Sequence, residues 1–418
     1  MAWSDNSRVV VLDDDPTGTQ AASGVTVLLS TGYYRLQEVL RHERSVYIQT
    51  NSRSLSESAA AELARTIRTL IDEASAALGV EIRVVLRGDS TLRGHVFTES
   101  RVFSTDDSVL VFVPAFPEVG RTTRDGIHSV RIGETTLPVG QTEFAADPVF
   151  GFSSSHLGDF VEERTGSSGQ LVGLDEVRSG TLTHELRSVP GGTVLVVDAV
   201  TPDDVRLIAG AIERVWHERR VVVRCAASLA AELAGVPSST ALELSAVARP
   251  GRAVVVCGSH TELARAQVAC LSAIIGPPTE IVTDEAIKDA ASAGASAAAR
   301  EALTRRPGGV RFITTQRDRS SEHSSLDDGA AVMLALTDAA RQLAEPGGTI
   351  ITKGGITAAD VIEASIGATQ ARVLGQVRPG VSVWEMTSRE GQTVLAVIVP
   401  GNMGDTTILA ELVTAVTS

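Results

Sequence analysis

Three adjacent carboxylates, Asp13, Asp14 and Asp15, follow an apolar run in VVVLDDDPTGTQ, residues 9–20. Like charges side by side repel, and a turn needs no such trio. A carboxylate cluster at the end of a strand suits three tasks. It can bind sugar hydroxyls, accept a proton from one of them, or help hold Mg2+ near phosphates. On an extended chain Asp13 and Asp15 point one way and Asp14 the other.

Two further polar turns follow strand-like runs. QTNSRSL (49–55) offers Asn51, Ser52 and Arg53, and LRGDSTLRGH (86–95) offers Arg87, Asp89, Ser90, Thr91, Arg93 and His95. PAFPEVGRTTRDGIH (114–128) adds Arg121 and Arg124. Guanidinium forks match carboxylates in paired geometry. Arginines gathered at strand ends of an acidic protein point to a pocket for a small carboxylate. The histidines show no metal-ligand spacing.

The second half repeats one device. VVVCGSHTE runs from a strand into Gly258, with Ser259 as the expected helix cap and Glu262 three residues on. IITKGGITAAD runs into Gly354 and Gly355, then Thr357, with Asp360 three on. AVIVPGNMGDTT runs into Gly401, Asn402 and Gly404. Glycine lets backbone N–H groups approach a ligand, and the helix start behind it favours an anion. Together the three turns point to an anion or nucleotide cleft. Neither a GxxxxGK[ST] loop nor a GxGxxG after the first strand is present, which disfavours P-loop and standard dinucleotide sites. Lys353, one of only two lysines, adjoins the second turn and is a candidate phosphate contact.

The elements that must position these turns alternate. Strand-like runs at 8–12, 24–29, 45–50, 81–86, 108–113 and 193–200 are interleaved with helical patterns. In 55–78, Leu63, Ile67, Leu70, Ala74 and Leu78 share one helical face, with Ser54 and Glu57 as a capping box and Gly79 as the stop. Residues 121–190 read as irregular and loop-rich. After residue 248 a second alternation begins, with strands at 253–257, 279–283, 310–315, 348–352 and 393–399. Its helices are expected at 261–274, 284–304, 328–344, 358–367 and 405–416. The expected fold is α/β, in two domains, 1–247 and 248–418. Each is a largely parallel sheet flanked by helices, with a ligand cleft between them.

Bulk properties narrow the partners. The 418 residues carry a net charge of -14 with 4% aromatics, which argues against nucleic acid and anionic membranes. No apolar run approaches the ~20 residues of a membrane span. The start MAWSDNSR lacks a signal-peptide pattern, so a soluble, cytoplasmic protein is expected. Cys225, Cys257 and Cys270 form no ligand spacing and read as structural thiols of a reducing compartment.

Taken in order, the motifs DDDPTGT, TNSRSL, DSTLRGH, PAFPEVGRTTRDGIH with PVGQTEFAADP, GSHTELARAQ, KGGITAADV and PGNMG resemble the four-carbon acid sugar kinase family. They run from Asp13 to Gly404. The resemblance implies a sugar-acid-binding N-terminal domain and a nucleotide-binding C-terminal domain. It also implies ATP-dependent phosphorylation of a terminal hydroxyl of a tetronate or 3-oxo-tetronate. The family's substrate motifs fall on Asp14, Asp15, Ser52, Arg53, Asp89, Ser90 and Arg93. Its nucleotide motifs fall on Ser259, Gln267, Gly355, Thr357, Gly401, Asn402 and Gly404. On this reading Arg53 and Arg93 hold the substrate carboxylate, and Asp89 and Ser90 orient its hydroxyls. Asp15, or Asp14, accepts the proton, while Mg2+ and the three glycine turns hold the triphosphate of ATP; a homodimer is the prior for such enzymes. Many members carry an acidic residue at the position of Ile356, a Thr at Ala264 and a Lys at Val399.

Two alternatives stand beside this one. VVVLDDDPT also fits a haloacid-dehalogenase phosphatase, with Asp13 as nucleophile, Asp15 as acid, and Thr314 and Lys353 recruited from downstream. The losses at Ala264, Ile356 and Val399 fit a sugar-acid sensor without catalysis.

Overall fold

In the computed structural model, which describes residues 6–29, 33–238, 240–249, 252–316, 326–401 and 403–417, the chain forms two compact units, Met1–Ser239 and Thr240–Ser418. Strands of the first unit are β1 (Arg8–Asp13), β2 (Val25–Leu28), β3 (Ser45–Gln49), β4 (Ile82–Arg87), β5 (Val109–Val113), β6 (Arg121–Arg124), β7 (Ile127–Ile132), β8 (Thr135–Pro138), β9 (Gln170–Val172), β10 (Val194–Val197) and β11 (Val221–Cys225). Its main sheet runs β2-β3-β1-β4-β11-β5-β10-β9, with every described pair parallel. Buried β-branched strands such as RVVVLD and VLVFV form it because both faces are covered.

The chain places β3 on one side of β1 and β4 on the other. β1 therefore stands at a topological switch point, where the carboxyl ends of strands open a crevice in sheets of this kind.

The helix Glu57–Leu78 follows the expected span, and Gly79 stops it in the left-handed region at φ 66°. The cap is Ser56 rather than Ser54, its Oγ accepting from the Ala59 amide at 3.3 Å. The buried line is Ala60, Ala64, Ile67, Ile71 and Ala74, while Leu63, Leu70 and Leu78 pack only partly buried at its flank. Small alanines let the helix lie close to the sheet, which turns the stripe away from the leucines.

Residues 121–190 are not irregular. β6, β7 and β8 form an antiparallel sheet. Asp125 and Gly126, at φ 51° and 74°, close the first hairpin as a two-residue turn. Helices Leu157–Thr165, Leu174–Ser179 and Leu182–Ser188 follow.

In the second unit β12 (Ala253–Cys257), β13 (Thr279–Ile281), β14 (Arg311–Thr315), β15 (Thr349–Lys353), β16 (Gln370–Arg378), β17 (Val381–Thr387) and β18 (Thr393–Val399) run in the order β13-β14-β12-β15-β18-β17-β16. The first five are parallel, and β17 and β16 add antiparallel. The helix expected over 284–304 splits into Thr283–Lys288 and Ala290–Leu303, because Asp289 caps the second piece by accepting from the Ser292 amide. Among the described residues no helix is long and apolar enough to cross a membrane.

Candidate active site

Asp13 ends β1 at the switch point, and register fixes its neighbours. Gln49 ends β3 on one side and Arg87 ends β4 on the other. The chain then leaves the sheet. Asp15 caps the turn Pro16–Ala21, its Oδ1 accepting from the Thr17 amide at 2.7 Å. Gly18 lies flat against Asp13: a Cβ there would stand 1.9 Å from Asp13 Oδ1, so no larger residue fits without displacing that carboxylate.

The alternation of an extended chain does not separate the three aspartates. Arg87 Nη1 donates to Oδ1 of Asp13 at 3.0 Å, of Asp14 at 3.2 Å and of Asp15 at 3.2 Å. All three carboxylates are buried, as is Arg87. Burial pushes the Asp13 carboxyl up to about 7; Arg87 opposes this and Asp14 adds to it.

The neighbouring turns close on this centre. Arg53 pairs with Asp15, stands 3.1 Å from Asp89 Oδ2 through Nη1, and has Nε 3.7 Å from Asp14 Oδ2. Asp89 also accepts from Arg93 Nε at 2.7 Å and from the Thr91 amide at 3.1 Å. Burial would raise its carboxyl, but Arg93 and Arg53 outweigh that and hold it well below the usual range. Arg93 lies over the Phe144 ring, 5.1 Å from its centroid. Ser90 Oγ accepts from Arg121 Nη1, and the buried Ser52 hydroxyl is 3.3 Å from Thr50 Oγ1. His128 Nε2 donates to the Ser90 carbonyl at 2.8 Å. Burial lowers the His128 pKa to about 4, so the ring is neutral at pH 7.

Among the described residues, the non-glycine residues with positive φ are Asn51, Leu92 and Asp125, and all three lie in these polar turns. Leu92 at φ 68° is a costly conformation for a branched side chain. Three residues of the centre escaped sequence reasoning. Arg224 on β11 donates to Glu99 at 2.6 Å and stands 3.7 Å from Asp14 Oδ2, and Gln49 flanks Asp13. An arginine inside the buried strand VVVRC was the signal for the first.

The three aspartates bring ligand oxygens within 4.8 Å of one another, as a divalent ion requires. Yet Arg87 already takes the shared position, bonded to one oxygen of each. Mg2+ needs contacts of about 2 Å and keeps several waters. A buried triad filled by a guanidinium does not suit it.

In the second unit the three glycine turns converge. A Cβ on Gly258 would stand 2.4 Å from Thr357 Oγ1, and one on Gly401 would stand 2.7 Å from Ser259 Oγ. Gly354, at φ 117°, would meet Thr357 Oγ1 at 3.0 Å. Gly355 begins the helix Gly355–Asp360, which contains the buried Thr357. The cap of Glu262–Ile275 is Thr261, not Ser259; its Oγ1 accepts from the Ala264 amide and donates to the Gly401 carbonyl at 2.7 Å. Gln267 Nε2 donates to the carbonyls of Met403 and Asp405 at 3.0 and 2.7 Å. Lys353 is fully buried and donates to the carbonyls of Pro400 and Met403 at 2.6 and 3.2 Å. Its amine is thus engaged beneath the turn that was expected to cradle phosphate. Gly404 turns the chain at φ 82°, and Asn402 lies outside the described residues.

Of the downstream partners a dehalogenase-type site needs, Thr314 and Lys353 belong to the second unit, and their side chains are bound to backbone carbonyls there. That alternative is set aside, and the kinase relatives below remove the sensor reading.

Residues 9–233 match the family described as a sugar-binding N-terminal domain, and residues 254–409 match the nucleotide-binding C-terminal domain. The chain is 28% identical over 382 residues to the D-threonate kinase of Bordetella bronchiseptica, covering 90% of this chain and 87% of that one. It is 28% identical over 274 residues to the D-threonate kinase of Salmonella typhimurium, covering 62% and 60%. A solved Salmonella typhimurium LT2 structure carrying a tRNA synthase description superposes with a TM-score of 0.69 at 18% identity, covering 96% and 98%. A Haemophilus influenzae structure gives 0.62 at 17%, covering 97% and 100%. At those identities the likeness concerns the fold alone. Both domain families, matched in order over most of the chain, carry the conclusion: it belongs to the four-carbon acid sugar kinase family and is a sugar-acid kinase, a phosphotransferase with an alcohol group as acceptor.

Proposed function

We propose that the protein transfers the γ-phosphoryl group of ATP to a terminal hydroxyl of a four-carbon sugar acid, a tetronate or 3-oxo-tetronate. The sugar-binding unit (1–247 on the sequence reading) takes the acid and the remainder (248–418) takes the nucleotide. The observation that carries this reading is the buried centre at the β1 switch point. Carboxylates of Asp13, Asp14, Asp15, Asp89 and Glu99 there interleave with guanidinium groups of Arg53, Arg87, Arg93, Arg121 and Arg224. The names of the D-threonate kinase relatives support the substrate class.

Phosphoryl transfer asks mainly for in-line positioning and charge neutralisation. The bond from the acceptor oxygen to phosphorus forms as the bond to the ADP oxygen breaks, and the hydroxyl proton passes to a carboxylate. Asp14 suits that task better than Asp15. Its Oδ2 is buried without a hydrogen-bond partner, whereas Asp15 is held by Thr17, Arg87 and Arg53. Asp89, already gripped by Arg93 and Arg53, orients those guanidinium groups and is a poor proton acceptor. Arg53 and Arg93, with side chains 12% and 26% exposed against 2% for Arg87 and Arg224, line the approach. Ser52 and Ser90 offer hydroxyls to the acid. The Gly258, Gly354 and Gly401 turns, with Ser259 and Thr357 between them, suit a triphosphate, and Mg2+ travels with it.

An ADP-release screen with Mg-ATP against four- and five-carbon aldonic and oxo-aldonic acids tests the reading. A tetronate or 3-oxo-tetronate is expected to give the highest kcat/KM. Absence of ADP release with every acid would overturn it.

A further inference from the structure

Arg121 differs from every other arginine of the buried centre. Arg53, Arg87, Arg93 and Arg224 each pair with a carboxylate. Arg121, at 3% exposure, donates through Nη1 to the neutral Ser90 hydroxyl. Its Nε has no hydrogen-bond partner, and among the described residues its guanidinium forms no ion pair.

A buried cation with one neutral hydrogen bond is costly to keep. Burial pulls its pKa down to about 10; Asp89 opposes this, and Arg93, Arg87 and Arg53 pull the same way. The surroundings do not relieve it. His128, whose Nε2 donates to the Ser90 carbonyl, is neutral, and Asp89 spends its oxygens on Arg93, Arg53 and Thr91. The fold nevertheless fixes Arg121 firmly. It opens β6, and its backbone N–H and C=O both pair with Phe116. What offsets such a charge is an anion that arrives from outside. A carboxylate presents two oxygens to the guanidinium fork. Ser90, accepting from Arg121, keeps its own proton to donate to the same ligand.

We infer that Arg121 is the counter-ion of the substrate's carboxylate and sets the preference for a sugar acid over a neutral polyol. This rests on the kinase reading above and sharpens it. Arg53 and Arg93, expected from the sequence to hold that carboxylate, are already committed to Asp89. A site with a buried polar group made for one ligand group rejects analogues lacking it, because the group is then left unpaired.

The test uses the full chain with Mg-ATP and reads ADP release with the preferred tetronate and with the neutral tetritol of the same stereochemistry. The wild type favours the acid by about 10³-fold or more in kcat/KM. Arg121→Met lowers kcat/KM for the acid by about 10²-fold, mainly through KM, and lowers that for the tetritol far less, so the acid-to-tetritol ratio collapses. Arg121→Lys, which keeps the charge but not the fork, recovers part of the loss. An unchanged acid-to-tetritol ratio in Arg121→Met overturns the inference, as does an equal loss on both acceptors. Circular dichroism checks folding. Should the Met variant not fold, Arg121→Lys carries the test, with a fall of about 10-fold expected in the ratio. A wild type that turns over no acid overturns the kinase reading itself, so the two failures are distinct.

Discussion

Lys353 faces Val399 across the parallel β15–β18 pair, and its Nζ donates to the carbonyl of Pro400, the residue just past the partner strand, at 2.6 Å. Val399 offers the turn after it no amine, and the amine that reaches that turn comes from the neighbouring strand. Burial brings the Lys353 amine down to about 7. A neutral amine still has two N–H groups, and the carbonyls of Pro400 and Met403 take both.

Lys353→Met therefore unties the Gly401–Gly404 turn without opening a large cavity. The expected result is a rise of about 10-fold or more in the KM for ATP, with the KM for the acid unchanged. Calorimetry with an ATP analogue checks it. Unaltered nucleotide affinity would remove Lys353 from any part in shaping that turn.

Asp14→Asn and Asp15→Asn separate the two candidates for the base. Loss of a general base costs about 100-fold or more in kcat. Asp14→Asn is expected to show it with little change in substrate affinity. Asp15→Asn, which weakens a cap and an ion pair, is expected to lose stability and substrate affinity as well as rate. Near-normal turnover in Asp14→Asn excludes it as the base.

Gly18→Ala drives a methyl group into Asp13, since the Cβ would stand 1.9 Å from its Oδ1. No backbone strain enters, so the effect isolates the close approach. A loss of about 1–3 kcal/mol in unfolding free energy is expected. kcat should fall at the same time, because Arg87 ties Asp13 to Asp14. A variant as stable and active as the wild type would show that the turn moves aside freely.

Arg87 holds the place of a divalent ion. Mn2+ added to the nucleotide-free protein should find no site at the triad, and electron paramagnetic resonance should show only free ion. Arg87→Met leaves three buried carboxylates without that cation and should gain Mn2+ binding, lost again on adding Asp13→Asn. A wild-type Mn2+ site abolished by Asp13→Asn would show that the guanidinium yields to metal.

Much of this centre was legible because its signals are local. An apolar strand running into DDD, and arginines in the turns after later strands, place charge where a parallel sheet gathers its strand ends. The convergence of three glycine turns followed from the same rule. Partners set by the sheet's order were not legible. Arg224 reaches Glu99 and Asp14 only because β11 lies beside β4, a neighbour far away in the chain. The hairpins within 121–190 do not stand out in the sequence in spite of the strong Asp125-Gly126 turn signal, because the flanking strands are short and mostly polar. Caps shifted by two residues at Ser56 and Thr261, since several Ser and Thr compete at each helix start and only the backbone path selects one.

The raised Asp13 carboxyl makes stability depend on pH in a direction opposite to an ordinary ion-paired aspartate. The folded chain keeps this proton up to about 7, whereas the unfolded chain releases it near the ordinary aspartate value of 3.8. Between those values the native state binds more protons than the unfolded state, so the Asp13 contribution to stability falls as pH rises. His128, neutral in the fold down to about 4, pushes the other way over part of the range, but that term is common to wild type and variant and cancels in their difference. Asn does not titrate. The unfolding free energy of Asp13→Asn minus that of the wild type should therefore move in the variant's favour from pH 4.5 to pH 7.5, by a few kcal/mol at most, on the order of 1.4 per pH unit. Urea unfolding at several pH values reads the slope, whatever offset the substitution introduces. A flat difference, or one moving in the wild type's favour, would mean that Arg87 keeps Asp13 ionised in the fold and that burial does not win there.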